Sequence, residues 1–327
     1  MSVLAVESVS KRFAELQAVD AISFEVRPGE IFGFLGPNGA GKTTTLRMIM
    51  GITRPDSGRV LFHGAETLDR SRIGYLPEER GLYEDSKLLD VLVYLGCLRG
   101  MSRAGARRAA TDWVARMDLG DRMKGKVNAL SKGNQQKIQF AGAVLHEPEL
   151  AVLDEPFAGL DPLNQELFLD LIRALKDRGT AVLLSAHQLD LVERLCDRFL
   201  LISGGRRLLS GTLGELRRAE MGGAGEVLAV EVQLQDGSFP PSMHWQPGRG
   251  PAIELTWKAA EGGRARAEVP LPEDANLSPL LASLAEHYDV RRVETHTLSL
   301  HEIYVHAVQR DRAKGLHAPA EPEVAGV

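Results

Sequence analysis

Eight residues, Gly36-Pro37-Asn38-Gly39-Ala40-Gly41-Lys42-Thr43, constrain what this chain can fold into more than any other stretch. They fit the pattern G-x-x-x-x-G-K-[ST], and their surroundings give the pattern its meaning. The run Glu30-Ile-Phe-Gly-Phe-Leu35 before them reads as a short buried strand, and Thr44–Met50 after them reads as a helix ended by Gly51. A strand, a glycine loop and a helix start in that order build an anion site. Glycines let successive backbone N–H groups turn inward, and the helix N-terminus adds partial positive charge. In such a loop Lys42 would reach the β- and γ-phosphates of a nucleotide, and the Thr43 hydroxyl would bind Mg²⁺.

The rest of the first two thirds repeats the alternation of strand and helix. Val3–Val6, Ala21–Val26, Val60–Phe62 and Ile73–Leu76 are short β-type runs separated by turn signals. After Pro77 the pattern turns helical: Leu88–Arg99, Arg103–Met117 and a third helix from near Ser131 to His146. Leu150–Leu153 and Thr180–Leu184 are wholly apolar runs of the kind buried on both faces of a sheet, with a helix at Pro162–Arg178 between them. A helix at Leu189–Cys196 and a strand at Phe199–Ile202 follow. Alternating strands and helices imply an α/β fold with a mostly parallel sheet, and residues 79–146 read as an inserted helical subdomain.

Open parallel sheets bind their ligands beyond the carboxyl ends of the strands. Each apolar run here ends in a polar group of a useful kind: Ile31–Leu35 in the glycine loop, Leu150–Leu153 in Asp154-Glu155, and Thr180–Leu184 in Ser185-Ala186-His187. Adjacent carboxylates suit divided labour, Asp154 holding Mg²⁺ and Glu155 taking a proton from an attacking water, while His187 can donate to a γ-phosphate. Ser131, in Leu130-Ser131-Lys132-Gly133, is either a plain helix cap or, with the Gly133 N–H, a second anion-binding helix start. Asp161 before Pro162 is ordinary helix-start chemistry by the same reasoning.

The 327 residues suggest two domains. Ala219–Glu226 is glycine-rich and reads as a linker. Residues 227–310 alternate strand-like and helix-like runs as a small α+β domain, and 311–327 read as a frayed tail. A net charge of −5 with scattered basic residues argues against a nucleic-acid partner. Cys97 and Cys196, the two cysteines, both sit in apolar helix-like stretches and read as core thiols of a reducing compartment. No apolar run is long enough to span a membrane, and the first residues lack the basic start and apolar core of a signal peptide. The expectation is a cytoplasmic protein that acts at a membrane only through a partner.

The order of these motifs, over about residues 3–217, resembles the nucleotide-binding subunit of ATP-binding cassette (ABC) transporters. Gly36–Thr43 matches its Walker A loop, Leu150–Glu155 its Walker B segment with the catalytic glutamate, and Leu130–Gln136 its signature. Gly159-Leu160-Asp161 matches its D-loop and His187 its switch histidine. The resemblance implies a P-loop NTPase cassette (parallel core, antiparallel β subdomain and helical subdomain) over residues 1–218. It implies that ATP and Mg²⁺ bind at Gly36, Pro37, Asn38, Gly39, Ala40, Gly41, Lys42, Thr43 and Thr44, that Phe13 stacks on adenine, and that Thr43, Glu78 and Asp154 hold the metal. It further implies a head-to-tail dimer in which Ser131, Gly133 and Asp161 serve the partner's nucleotide, and a separate membrane permease whose coupling helix enters a groove near Glu78. Glu155 and His187 would be catalytic.

The chain departs from the family pattern in two places. Glu78 stands where the family usually has Gln, and the signature reads Leu-Ser-Lys-Gly-Asn rather than Leu-Ser-Gly-Gly-Gln. Gly74–Tyr83, Ser131–Lys137 and Ser299-Leu300-His301-Glu302-Ile303-Tyr304 are similar to the branch of sodium and drug exporters. The expectation is an ATPase subunit at the inner membrane face that powers an exporter. The alternatives are a soluble or regulatory cassette and an importer ATPase.

Overall fold

The computed structural model describes residues 2–79, 81–220, 226–234, 238–246, 252–272 and 275–313. They form two compact units, the second running from Leu213 to Arg310 and the first taking the residues up to Thr212 together with those from Asp311 on.

In the first unit β1 (Leu4–Phe13) and β2 (Leu16–Val26) form one long hairpin, where the sequence suggested only two short strands. Its turn is closed by Ala14 in the left-handed region, φ 48°. Strand β3 (Ile31–Leu35) leads into α1 (Lys42–Ile49), followed by β4 (Ser57–Phe62) and β5 (Ile73–Leu76). Helices α2 (Leu88–Leu98), α3 (Arg103–Arg116) and α4 (Lys132–Val144) then intervene before β6 (Leu150–Asp154). The unit ends with α5 (Pro162–Asp177), β7 (Ala181–Ala186), the single-turn α6 (Leu189–Glu193), β8 (Arg198–Ser203) and β9 (Arg206–Gly211).

The main sheet has six strands in the order β5-β6-β7-β3-β8-β9. All neighbours are parallel except β8 and β9. Strands β3, β6 and β7 are buried along their whole length, as their uninterrupted apolar sequences require. Parallel pairing has the consequence that matters here: the carboxyl ends of β3, β5, β6 and β7 emerge on one edge. The register sets Leu35 beside Ala186, Leu76 beside Leu153 and Asp154 beside Ser185. A second, antiparallel sheet of order β2-β1-β4 shares a core with β3, α1 and the main sheet, and Phe24 stacks on Phe32 with ring centroids 5.2 Å apart.

The second unit begins with α7 (Leu213–Glu220), followed by β10 (Glu226–Gln233), β11 (Met243–Trp245), β12 (Ile253–Leu255), β13 (Lys258–Ala260), β14 (Arg264–Leu271), α8 (Ser278–His287), β15 (Asp289–His296) and α9 (Leu300–Ala313) as far as Arg310. Its antiparallel sheet has the order β13-β14-β10-β15. Leu228, Val230, Ala265 and Ala267 share a core with Leu280 and Leu284 of α8. Along the sheet Glu231, 8% exposed, is held by both Arg264 and Arg266 at 3.1 Å.

The boundary expected at 218 falls at 212. Helix α7 belongs to the second unit because Arg217 donates to the Leu298 carbonyl at 2.7 Å and Glu220 pairs with Arg310 at 2.6 Å. The expected linker narrows accordingly, since Glu220 still closes a helix and Glu226 already opens a strand; 221–225 lie outside the described residues. The expected tail lies outside them from 314 onward, and 311–313 continue α9. One of the two cysteines differs from the expectation of core thiols. Cys97 is exposed, on a side of α2 that the core does not cover. Cys196 is half-buried, with its sulfur packed toward Gly33 of β3, and burial pushes the thiol pKa well up.

Candidate phosphate-binding site

Local chain geometry builds the loop between β3 and α1. Gly41 caps α1 at φ 99°, and a side chain there would strike the Ala18 carbonyl. At Gly36 a Cβ would lie 2.6 Å from the Ile202 carbonyl oxygen, so β8 closes over the loop only because that position is bare. Lys42 follows at the helix start and is 6% exposed. Its Nζ donates to the Gly36 carbonyl at 2.8 Å and the Pro37 carbonyl at 3.3 Å, and it lies 3.5 Å from Glu155 Oε1. The ammonium therefore sits inside the loop's curve, held from both sides.

The two carboxylates after β6 go to different places, and the backbone is the cause. Asp154 continues the strand and is fully buried; Glu155 takes φ 49°, a left-handed conformation unusual for a non-glycine residue. Ser185 on the neighbouring strand stabilises this junction. Its hydroxyl donates to Asp154 Oδ1, and its carbonyl and hydroxyl oxygens accept from the Glu155 N–H at 3.2 and 3.1 Å. Glu155 thereby turns toward Lys42, and its other oxygen lies 2.8 Å from His187 Nδ1.

Asp154 bears the electrostatic cost. Burial raises its pKa above the usual carboxylate range, against the opposing hydrogen bonds from Ser185 and Thr43, and the nearby Glu78 and Glu155 raise it further. Thr43 Oγ1 also lies 3.4 Å from Glu78 Oε2. A hydroxyl thus stands between two carboxylates, and Asp154 Oδ2 is buried with no hydrogen-bond partner. An orphaned carboxylate oxygen among hard oxygen donors fits a small divalent cation such as Mg²⁺.

A cleft of about 320 Å³ opens in front of these groups. Pro37, Asn38, Gly39, Gly41, Lys42, Thr43 and Thr44 line it with Glu78 and Glu155, and Phe13, Leu16 and Ala18 form its apolar end. Phe13 stands at the hairpin tip, 49% exposed, with Lys11 Nζ 5.5 Å from its ring centroid. Gly36 and Ala40 form the buried floor of the loop. Asp154 and His187 join the cleft through Thr43 and Glu155.

Ser131, Gly133 and Asp161 do not line this cleft. Ser131 caps α4 by accepting from the Asn134 N–H at 3.3 Å, and Asp161 caps α5 by accepting from the Asn164 N–H at 2.9 Å. The start of α4 lies near the loop before α5, because a Cβ at Gly133 would meet the Gly159 carbonyl at 3.6 Å. Sequence reasoning assigned nothing to Ser185 beyond its place at a strand end, and nothing to Gln139. The available signals were a hydroxyl closing the apolar run Ala181–Leu184 and an amide inside the apolar stretch Ile138–Val144.

A buried lysine in a glycine loop, at the edge of a parallel sheet that also presents an Asp-Glu pair, defines a P-loop NTPase. The comparisons agree. The family model described as ABC transporter matches residues 19–158. An uncharacterised ABC transporter ATP-binding protein of Methanocaldococcus jannaschii is 46% identical over 213 residues, 65% of this chain and 79% of that protein. Another, of Alkalihalophilus pseudofirmus, is 39% identical over 277 residues, 84% of this chain and 98% of that protein, so the likeness extends past Thr212. The Nod factor export ATP-binding protein I of Paraburkholderia xenovorans is 37% identical over 221 residues, 66% of this chain and 73% of that protein. Among solved structures, an ATP-binding subunit of an ABC transporter superposes with TM-score 0.62 at 33% identity, covering 67% of this chain and 93% of that one. A dimeric bacterial ABC transporter cassette gives TM-score 0.60 at 22% identity over 64% of this chain and 98% of that one, a likeness of fold. The chain belongs to the ATP-binding subunits of ABC transporters, which bind and hydrolyse ATP.

Proposed function

We propose that this subunit energises an exporter through a separate permease chain, as one of a pair of cassettes, with Mg²⁺ as its metal. The observation that carries the chemistry is the divergence of Asp154 and Glu155 around Ser185, which puts one carboxylate beside Thr43 and the other beside Lys42 and His187. In this reading Lys42 and the loop N–H groups hold the β- and γ-phosphates, and Phe13 covers the base. Mg²⁺ would be held by Thr43, Glu78 and Asp154 and would supply positive charge at the phosphate oxygens. Glu155 accepts the proton of the attacking water, and His187 holds that carboxylate in place and donates toward the γ-phosphate. Before this can happen a phosphate must displace Glu155 from Lys42, so ligand binding itself frees the base.

Ser131, Gly133 and Asp161 lie away from their own cleft, which suits service to the nucleotide of a second copy. The relative with Nod factor export in its name supports the outward direction. Among the described residues no helix is long and apolar enough to cross a membrane, so membrane coupling would go through the permease. A groove of about 320 Å³ with Tyr75, Pro77, Leu82, Leu95 and Leu98 in its walls suits an apolar coupling helix at the inner membrane face. The test is Glu155→Gln with phosphate release as the readout. ATP binding is expected to persist while turnover falls by about 10²–10⁴, the usual worth of a general base. A variant that turns over at the wild-type rate removes Glu155 from the mechanism.

A further inference from the structure

Helix α4 carries a residue that the mechanism above does not use. Gln139 lies about two turns beyond Ser131 and is 6% exposed. Its Nε2 donates to the Pro77 carbonyl at 3.1 Å and to the Glu79 carbonyl at 3.1 Å, so both amide hydrogens grip the backbone on either side of Glu78. The orientation of the amide follows from chemistry, because the flipped form would set its oxygen against two carbonyl oxygens. The grip leaves Gln139 Oε1 buried without a partner, a cost that a merely space-filling side chain would not carry. The helix behind it is firmly seated: the ring of the next residue, Phe140, lies 5.9 Å from Trp113 of α3 and 5.0 Å from Phe168 of α5. Two further side-chain contacts of this loop are weaker, the exposed pair of Glu79 and Arg47 at 3.5 Å and the 3.4 Å contact of Glu78 with Thr43.

We propose that Gln139 is a positioning residue that clamps the two carbonyls flanking Glu78, so that helix α4 sets where the Glu78 carboxylate stands beside Thr43. The helix that begins at Ser131 and the loop that carries Glu78 then move as one body. The proposal rests on the reading of Glu78 as a metal ligand, and its test separates the two.

The substitution is Q139M, which keeps the side-chain volume and removes both the donors and the orphaned oxygen, so the fold should survive. Hydrogen exchange of the peptide spanning 76–83 is followed in nucleotide-free protein, and the Mg²⁺ midpoint for ATP binding is measured with and without E78A. Losing the clamp should speed exchange of that peptide, with the rest of α4 unchanged, by about tenfold. It should raise the Mg²⁺ midpoint about tenfold when Glu78 is present and less than twofold in E78A. Unchanged exchange overturns the clamp. An equal midpoint shift in both backgrounds overturns its action through Glu78. If the wild-type protein bound ATP without regard to Mg²⁺, the metal reading would fail, and the exchange result would still decide the clamp.

Discussion

Replacing Ser185 with Ala is the sharpest probe of the strand-end junction. The hydroxyl donates to the buried Asp154 Oδ1 and accepts from the Glu155 N–H. The Glu155 N–H keeps the Ser185 carbonyl at 3.2 Å, so the loss falls mainly on Asp154, whose other oxygen already lacks a partner. A hydrogen bond to a charged buried group is worth about 1.5–3 kcal/mol. In a unit of this size each kcal/mol moves the melting temperature by about 2–4 °C, so S185A should lower it by about 3–12 °C.

The assay is thermal unfolding by circular dichroism without nucleotide or metal, following the transition that ATP shifts upward. The same substitution in a D154N background should cost no more than about half as much, because the bond then joins neutral groups. The pH dependence follows from the raised pKa of Asp154. A carboxyl that holds its proton more tightly in the folded state loses stability as pH rises from the ordinary carboxylate range through the raised value, and the penalty is full above it. The S185A deficit should therefore be largest near neutral pH and shrink in acid. A melting temperature within about 1 °C of wild type, or an equal cost with D154N, would refute the account of Asp154 as a strained, hydroxyl-supported anion.

Two further outcomes are expected. Lys42→Ala removes the charge that the loop holds at 2.8 Å from the Gly36 carbonyl, and equilibrium dialysis should show tight ATP binding lost; unchanged affinity would contradict the phosphate role. Under native conditions a maleimide should label the exposed Cys97 well before Cys196, whose thiol packs toward Gly33 and holds its proton more tightly, with mass spectrometry showing equal labelling only in denaturant; equal native labelling would contradict this packing.

The sequence by itself determined the glycine loop, the parallel core and the identity of the side chains proposed to react. Those features are local: glycine spacing, uninterrupted apolar runs and the polar residues that end them act within a few positions. Parallel pairing then brings such strand ends to one edge, so Lys42, Asp154, Glu155 and His187 were legible before any coordinates. What the tertiary structure decided are relations between residues far apart in the chain. Ser185 supports two carboxylates only because β6 and β7 are in register, and Gln139 reaches the loop at Glu78 only because α4 is wedged between α3 and α5. The pairing of Glu155 with Lys42 depends on a left-handed backbone turn at a residue whose type does not favour one. The same holds for the allocation of α7 to the second unit, which two contacts to α9 and its approach settle. Periodicity records which face of a segment is apolar; it does not record which distant segment that face, or a lone polar group within it, will meet.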